Sequence, residues 1–285
     1  MIGINRVKSW LLIAGMAALF VAVGALVGGR QGATIALVIA LAFNFAMYWF
    51  SDSIALRATR SQPVGEDQAP EIYAIVRELA AEAKAPMPRI YVSAMAQPNA
   101  FATGRSPDHA AVAVTQGILQ ILDRRELRAV LAHELSHVLN RDILVSTIAA
   151  AIGSAFTYLA YMAFFFGGSD DDDSPLGGLA FLLLWLVGPI AAGIIQMAVS
   201  RSREYQADES GAFLSRDPEG LASALTKLEE YAKGVPAQVN PAQAHLFIVN
   251  PLRGRAGGGL ATMFSTHPPT AERIRRLREI APRIR

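Results

Sequence analysis

The chemistry in this chain centres on His133-Glu134-Leu135-Ser136-His137. On an α-helix, residues four apart are separated by about 400° of rotation, so His133 and His137 stand nearly above one another on one face. Two imidazoles one turn apart reach a single ion, with Zn–N distances of about 2.0–2.1 Å. Glu134 is rotated by about 100° from His133. It lies off the two-histidine face but can touch a water at an open metal position, take its proton and deliver it to a leaving amine. The competing reading is two surface histidines on an ordinary helix. With five histidines in the chain, chance produces this pattern with an expectation well below about 0.01.

Such a site needs a third ligand. The chain has no cysteine, which excludes a thiolate ligand, a Cys nucleophile and disulfides and leaves His, Asp or Glu. The extended pattern that adds a glycine and a third histidine is absent, because Asn140 and Ile143 occupy those positions. His245 and His267 are candidates, and Glu204 is a better one for reasons of topology. It begins Glu204-Tyr205-Gln206-Ala207-Asp208, and Asp208, one turn on, can hydrogen-bond a ligand histidine and set its tautomer.

The elements that position these residues follow from an uneven apolar content. Apolar residues make up 52% of the 285, charged residues 18%, and the mean hydropathy is +0.31. Four long apolar stretches run over 10–29, 33–50, 143–168 and 176–200. Each approaches the ~20 residues that cross a ~30 Å hydrocarbon core. Arg30, Gln31 and Gly32 separate the first two, which predicts a tight helical hairpin; Ser169 to Ser174, with four aspartates, separates the last two. A cleaved signal peptide is the alternative for the first stretch, but no clear cleavage site ends it and a second stretch follows at once.

Basic residues flank one side of all four: Arg6 and Lys8, Arg57 and Arg60, Arg141, Arg201 and Arg203. By the positive-inside rule this side, with both termini, is cytoplasmic. The expected organisation is a transmembrane hairpin over 1–50, a cytoplasmic catalytic region over 51–141, a second transmembrane pair over 142–200 and a cytoplasmic helical region over 201–285. Because the last two spans are adjacent and antiparallel, the fourth returns the chain to the level of His137 and carries Glu204 there. A net charge of +2 does not suggest nucleic-acid binding. The arginine-rich tail from Arg273 to Arg285 is either a solvated helix face or a contact for anionic headgroups.

Within the first cytoplasmic region, residues 51–69 read as an irregular lead-in. Glu71 to Lys84 has helical spacing, and Arg89 to Val92, Asn99 to Thr103 and Ala110 to Thr115 are strand candidates, the last two joined by a turn over Gly104 to Asp108, in a small antiparallel sheet or hairpin. Asp123 with Glu126 three residues on is a capping box for the helix that carries the histidines. Pro218 to Lys233, capped by Asp217, and Thr270 to Ile280 read as further helices.

Four blocks in order resemble the M48 metallopeptidases, specifically their HtpX-type membrane branch: Pro98-Asn99-Ala100-Phe101-Ala102-Thr103-Gly104, Ala129 to His137, Ser202 to Asp208, and Ser265-Thr266-His267-Pro268-Pro269 followed by Arg273. The resemblance covers the chain from about Val64 onward. It implies an α-helical membrane protein with an α+β, gluzincin-like cytoplasmic peptidase domain and about four transmembrane helices. It implies one Zn2+ per chain held by His133, His137 and Glu204, with Glu134 as base and acid and Asp208 behind a ligand. It implies that Asn99, Ala100, Phe101, Ala102 and Thr103 form an edge strand on which an extended peptide pairs, and that His267 and Arg273 lie near the cleft, where they stabilise an oxyanion or orient a ligand. The implied activity is endoproteolysis of misfolded or damaged membrane proteins, or unfolded polypeptides, at the cytoplasmic face of the bilayer (the inner membrane of a bacterium). Processing of prenylated tails and a zinc-bound scaffold that cleaves nothing are the alternatives. Four spans leave little room for the first, and the intact Glu134 argues against the second.

Overall fold

The computed structural model describes residues 2–140, 201–235, 247–249 and 268–284. The apolar stretches 143–168 and 176–200, and with them the second transmembrane pair, lie outside these residues. Among the residues described with their side chains, no helix is long and apolar enough to cross a membrane; most side chains up to residue 28 fall outside that set.

Helix α1 runs over Ile2–Ala58. Residues 30–32, expected as the turn of a hairpin, are helical within this single element. Gly29 sits at φ 54°, a left-handed conformation that a continuous right-handed helix does not contain and that glycine adopts without steric cost.

A sheet of four strands follows, in the order β1-β2-β4-β3, where β1 is Ser61–Pro63, β2 Arg89–Ser93, β3 Ala100–Gly104 and β4 Ala110–Thr115. The sheet is mixed: the expected hairpin of β3 and β4 forms, but a purely antiparallel sheet does not. β2 pairs with β4 in parallel register, Ile90 opposite Val112. β1–β2 and β3–β4 are antiparallel. Residues 94–99 carry the chain past the position beside β2 to the sheet edge, and the tight return after Gly104 brings β4 into the gap. β1 falls within the presumed lead-in; three residues ending in Pro63 carry no alternation to read, and proline is tolerated there because the strand is at an edge.

The two sheet faces are covered differently. Ile90, Ala100, Ala102, Val112 and Val114 pack into the main core with α2, Pro70–Glu82, and α4, Arg124–Asn140. Phe101, Ala111 and Ala113 pack against Ala55 and Leu56 at the end of α1. Arg89 Nη2 donates to Asp52 Oδ2 at 2.6 Å, and the Arg105 guanidinium lies 4.6 Å from the Trp49 ring centroid. A short helix α3, Gln116–Ile121, was not expected; its cap is Thr115, whose Oγ1 accepts from the Ile118 amide at 3.2 Å.

Helix α4 starts as its sequence requires. The Glu126 amide donates to Asp123 Oδ1 at 2.8 Å and the Asp123 amide donates to Glu126 Oε2 at 3.0 Å, a reciprocal capping box. Glu126 also accepts from Lys227 Nζ and Ser223 Oγ, each at 2.7 Å, which ties α4 to α6, Pro218–Gly234. That helix is capped by Asp217, whose Oδ1 accepts from the Gly220 amide at 2.8 Å. Helices α5, Arg201–Ser215, and α7, Thr270–Ile280, complete the described α-helices. The buried Val130, Leu131 and Leu135 of α4 join Leu221, Leu225 and Leu277 in the core, each such side chain contributing about 1.5–3 kcal/mol on burial.

Candidate metal centre

Helices α4 and α5 meet along the face that carries the histidines. On α5, Glu204, Asp208 and Gly211 recur at spacings of four and three, which puts them on one side. Gly211 determines how closely that side approaches: a Cβ built on it would lie 2.7 Å from His133 Cα and 2.8 Å from His133 N. A glycine here lets the two backbones come within ligand reach.

His133, His137 and Glu204 each offer a ligand atom, and these atoms lie within 4.8 Å of one another. His137 Nε2 is 3.5 Å from Glu204 Oε1, and His133 Nε2 is 3.8 Å from Glu204 Oε2. Coordination at about 2.0–2.2 Å puts neighbouring ligand atoms about 3.3–3.6 Å apart, so the donor set would have to draw in from a separation of at most 4.8 Å to hold one small divalent ion. The two imidazoles meet edge to face, with centroids 4.8 Å apart.

Behind the ligands lies a buried polar layer. Asp208 Oδ1 is 3.0 Å from His133 Nδ1, which favours the proton on Nδ1 and turns the Nε2 lone pair toward the ion site. Arg273 is 1% exposed. Its Nε and Nη2 donate to Asp208 Oδ2 and Oδ1 at 2.8 and 2.6 Å, a bidentate pair. Burial alone would raise the Asp208 carboxyl, but the adjacent Arg273 charge, the hydrogen bonds from Arg273 and the His133 imidazole bring it down to about 2. Burial would likewise lower the Arg273 guanidinium, and Asp208, Glu204 and Glu134 together raise it above its ordinary value.

Glu134 is 7% exposed and points toward the sheet, where its Oε2 accepts from the Ala102 amide at 3.0 Å. Strand β3 is therefore an edge strand beside the histidine helix. Its two sides differ. The Asn99 carbonyl accepts from the Thr115 amide at 2.9 Å and the Asn99 amide donates to Thr115 Oγ1 at 2.8 Å. Alternation in an antiparallel pair then turns the main-chain groups of Phe101 and Thr103 to β4 as well. Ala100 and Ala102 turn theirs outward, as the Ala102–Glu134 bond shows. Of the five residues proposed from sequence as a peptide-pairing strand, two face the open edge. The Asn99 side chain is buried and its Oδ1 accepts from the Ile248 amide at 3.2 Å. His267 and His245 lie outside the described residues. Gly211 and the Asn99–Ile248 contact had no reading from sequence; the only signal was a small residue on the face of Glu204 and Asp208.

The profile of peptidase family M48 matches residues 66–281. The chain belongs to peptidase family M48. It is 53% identical over 280 residues to the Protease HtpX homolog of Burkholderia thailandensis, covering 97% of each chain. It is 52% identical, again over 97% of each, to the Protease HtpX homolog of Ralstonia pickettii. Among solved structures it resembles the crystal structure of S. mikatae Ste24p, with a TM-score of 0.57 at 19% identity, covering 97% of this chain and 66% of that one. That likeness concerns the fold. As an M48 peptidase the chain is a metalloprotease, and the cluster of two histidines and a glutamate is the metal site its described residues offer.

Proposed function

We propose that this M48 peptidase is a membrane-anchored zinc endopeptidase that cleaves misfolded or damaged membrane proteins at the cytoplasmic face of the bilayer. The observation that carries the reading is the joint placement of three ligand atoms and a carboxylate that touches the sheet edge: His133, His137 and Glu204 on one side, Glu134 hydrogen-bonded to the Ala102 amide on the other. A metalloprotease base must reach both the attacking water and the peptide, and Glu134 already touches the strand on which a peptide would pair.

In this reading His133, His137 and Glu204 hold the ion, and Asp208 fixes the His133 ring. A bound divalent zinc would supply Lewis-acid polarisation of the carbonyl and of water. Two histidines and a carboxylate would also accept other divalent ions, so zinc rests on the family's chemistry. The outward amide and carbonyl groups of Ala100 and Ala102 hold an extended peptide as an added strand. Glu134 takes the proton of the attacking water and passes it to the leaving nitrogen. While no peptide is present, the Ala102 amide is satisfied by Glu134 itself. The HtpX homologues support the membrane setting, as do the four apolar stretches and the basic residues on one side of each. The four-span topology, with both termini cytoplasmic, is part of the proposal; a label placed at Asp170 should react only from the non-cytoplasmic side.

Cleavage of casein and of the chain itself by purified protein, with Glu134→Gln alongside, tests the reaction. The variant should keep its metal and lose about 10²–10⁴-fold in rate. Undiminished cleavage by Glu134→Gln would remove Glu134 from the chemistry.

A further inference from the structure

Phe247, Ile248 and Val249 are all buried and belong to no helix or strand. Both main-chain groups of Ile248 are bound by side chains distant in sequence. Its amide donates to Asn99 Oδ1 at 3.2 Å, and its carbonyl accepts from Arg273 Nη1 at 3.1 Å. Arg273 also holds Asp208 by two hydrogen bonds, and Asp208 lies 3.0 Å from His133. A continuous polar chain therefore runs from the residue preceding β3, through the backbone of Ile248 and the guanidinium of Arg273, to the imidazole of His133. The Asn99 amide and carbonyl are themselves engaged by Thr115. The Asn99 side chain is buried.

We infer that Asn99 is a positioning residue: with Arg273 it clamps the Ile248 backbone and so fixes the open edge of β3 relative to the metal ligand His133. The inference rests on the proposed roles of that edge and that ligand. A peptide paired at Ala100 and Ala102 reaches the ion in register only if the strand and the ligand keep one separation. An acceptor lost at Asn99 leaves a buried amide without its partner and releases one end of the clamp.

The test uses full-length protein in detergent micelles, with Asn99→Leu removing the acceptor and Asn99→Asp retaining it. Three quantities are read: amide exchange at Ile248, the rate at which a chelator withdraws bound zinc, and kcat and KM for an extended peptide. In the Leu variant, Ile248 exchange should accelerate at least tenfold, zinc withdrawal about fivefold, and kcat/KM should fall at least 30-fold. The Asp variant should stay within threefold of wild type on each. Unchanged Ile248 exchange in the Leu variant, or equal shifts in both variants, would overturn the clamp. If the Leu variant does not fold, Asn99→Ala, which also lacks the acceptor, carries the same comparison. A wild-type protein that binds zinc and cleaves nothing would defeat the proposed function, while exchange and zinc withdrawal would still decide the clamp.

Discussion

Gly211 lies directly against His133: a methyl group on Gly211 would stand 2.7 Å from His133 Cα. The contact joins two helices whose ligands are 67 or more positions apart in the sequence, and it lies within the same packed face as Glu204 and Asp208. Ligand placement in this protein is thus a matter of how near α5 can come to α4.

Gly211→Ala tests that dependence. In an unencumbered helix interior, alanine would stabilise relative to glycine by about 1 kcal/mol. Here the added methyl must push the helices apart, and overpacking of this kind costs about 1–3 kcal/mol. The variant should melt below wild type and bind zinc at least tenfold more weakly. A higher melting temperature with unaltered zinc affinity would show that α5 is not held at this distance.

Asp208 links His133 to Arg273. Replacing it with Asn removes the charge that Arg273 neutralises in a buried site, an imbalance that costs about 3–5 kcal/mol. It also loosens the tautomer control of His133, which typically costs about 10–100-fold in metal affinity. Zinc titration and thermal unfolding of Asp208→Asn should show both losses. Adding Arg273→Met to that variant should recover part of the stability and none of the affinity.

The capping box at the head of α4 gives a pH signature away from the ion. Burial would raise Glu126, but the hydrogen bonds from Lys227, Ser223 and the Asp123 amide hold it below its ordinary 4.5. A carboxyl depressed on folding contributes stability that is fully present above the unfolded value and is lost as pH falls through the folded one. Acid unfolding of metal-free protein should therefore steepen below about pH 4.5. Glu126→Gln should be less stable at pH 7 and show a weaker pH dependence between about pH 5 and 3. Parallel pH curves for the two proteins would contradict the assignment.

Signals in the sequence are legible where the physics is local. The Asp123–Glu126 box, the Asp217 cap and the His133–His137 spacing depend on neighbours three or four residues away, and each forms as expected. Strand β4 spans its expected residues because Ala110 to Thr115 is bounded by a turn and a cap. Return of the chain through two adjacent apolar stretches predicts Glu204 near the histidines, and its carboxylate lies beside them. The parallel pairing of β2 with β4 was not legible, because the connection over 94–99 contains no helix to announce a crossover. Gly211 and the Ile248 clamp depend on contacts between residues 78 and 149 positions apart, for which no local pattern exists. Arg273 was expected near the cleft. Its bidentate hold on Asp208 depends on two helices docking, which spacing along one helix does not encode.

The central claim is that His133, His137 and Glu204 together bind one metal ion. Zinc content per chain, measured on purified wild type and on Glu204→Gln after equal exposure to zinc and removal of excess, tests it most directly. The account predicts one equivalent in wild type and below about a tenth in the variant, since losing one of three protein ligands leaves too weak a site. A full equivalent retained by Glu204→Gln would contradict it.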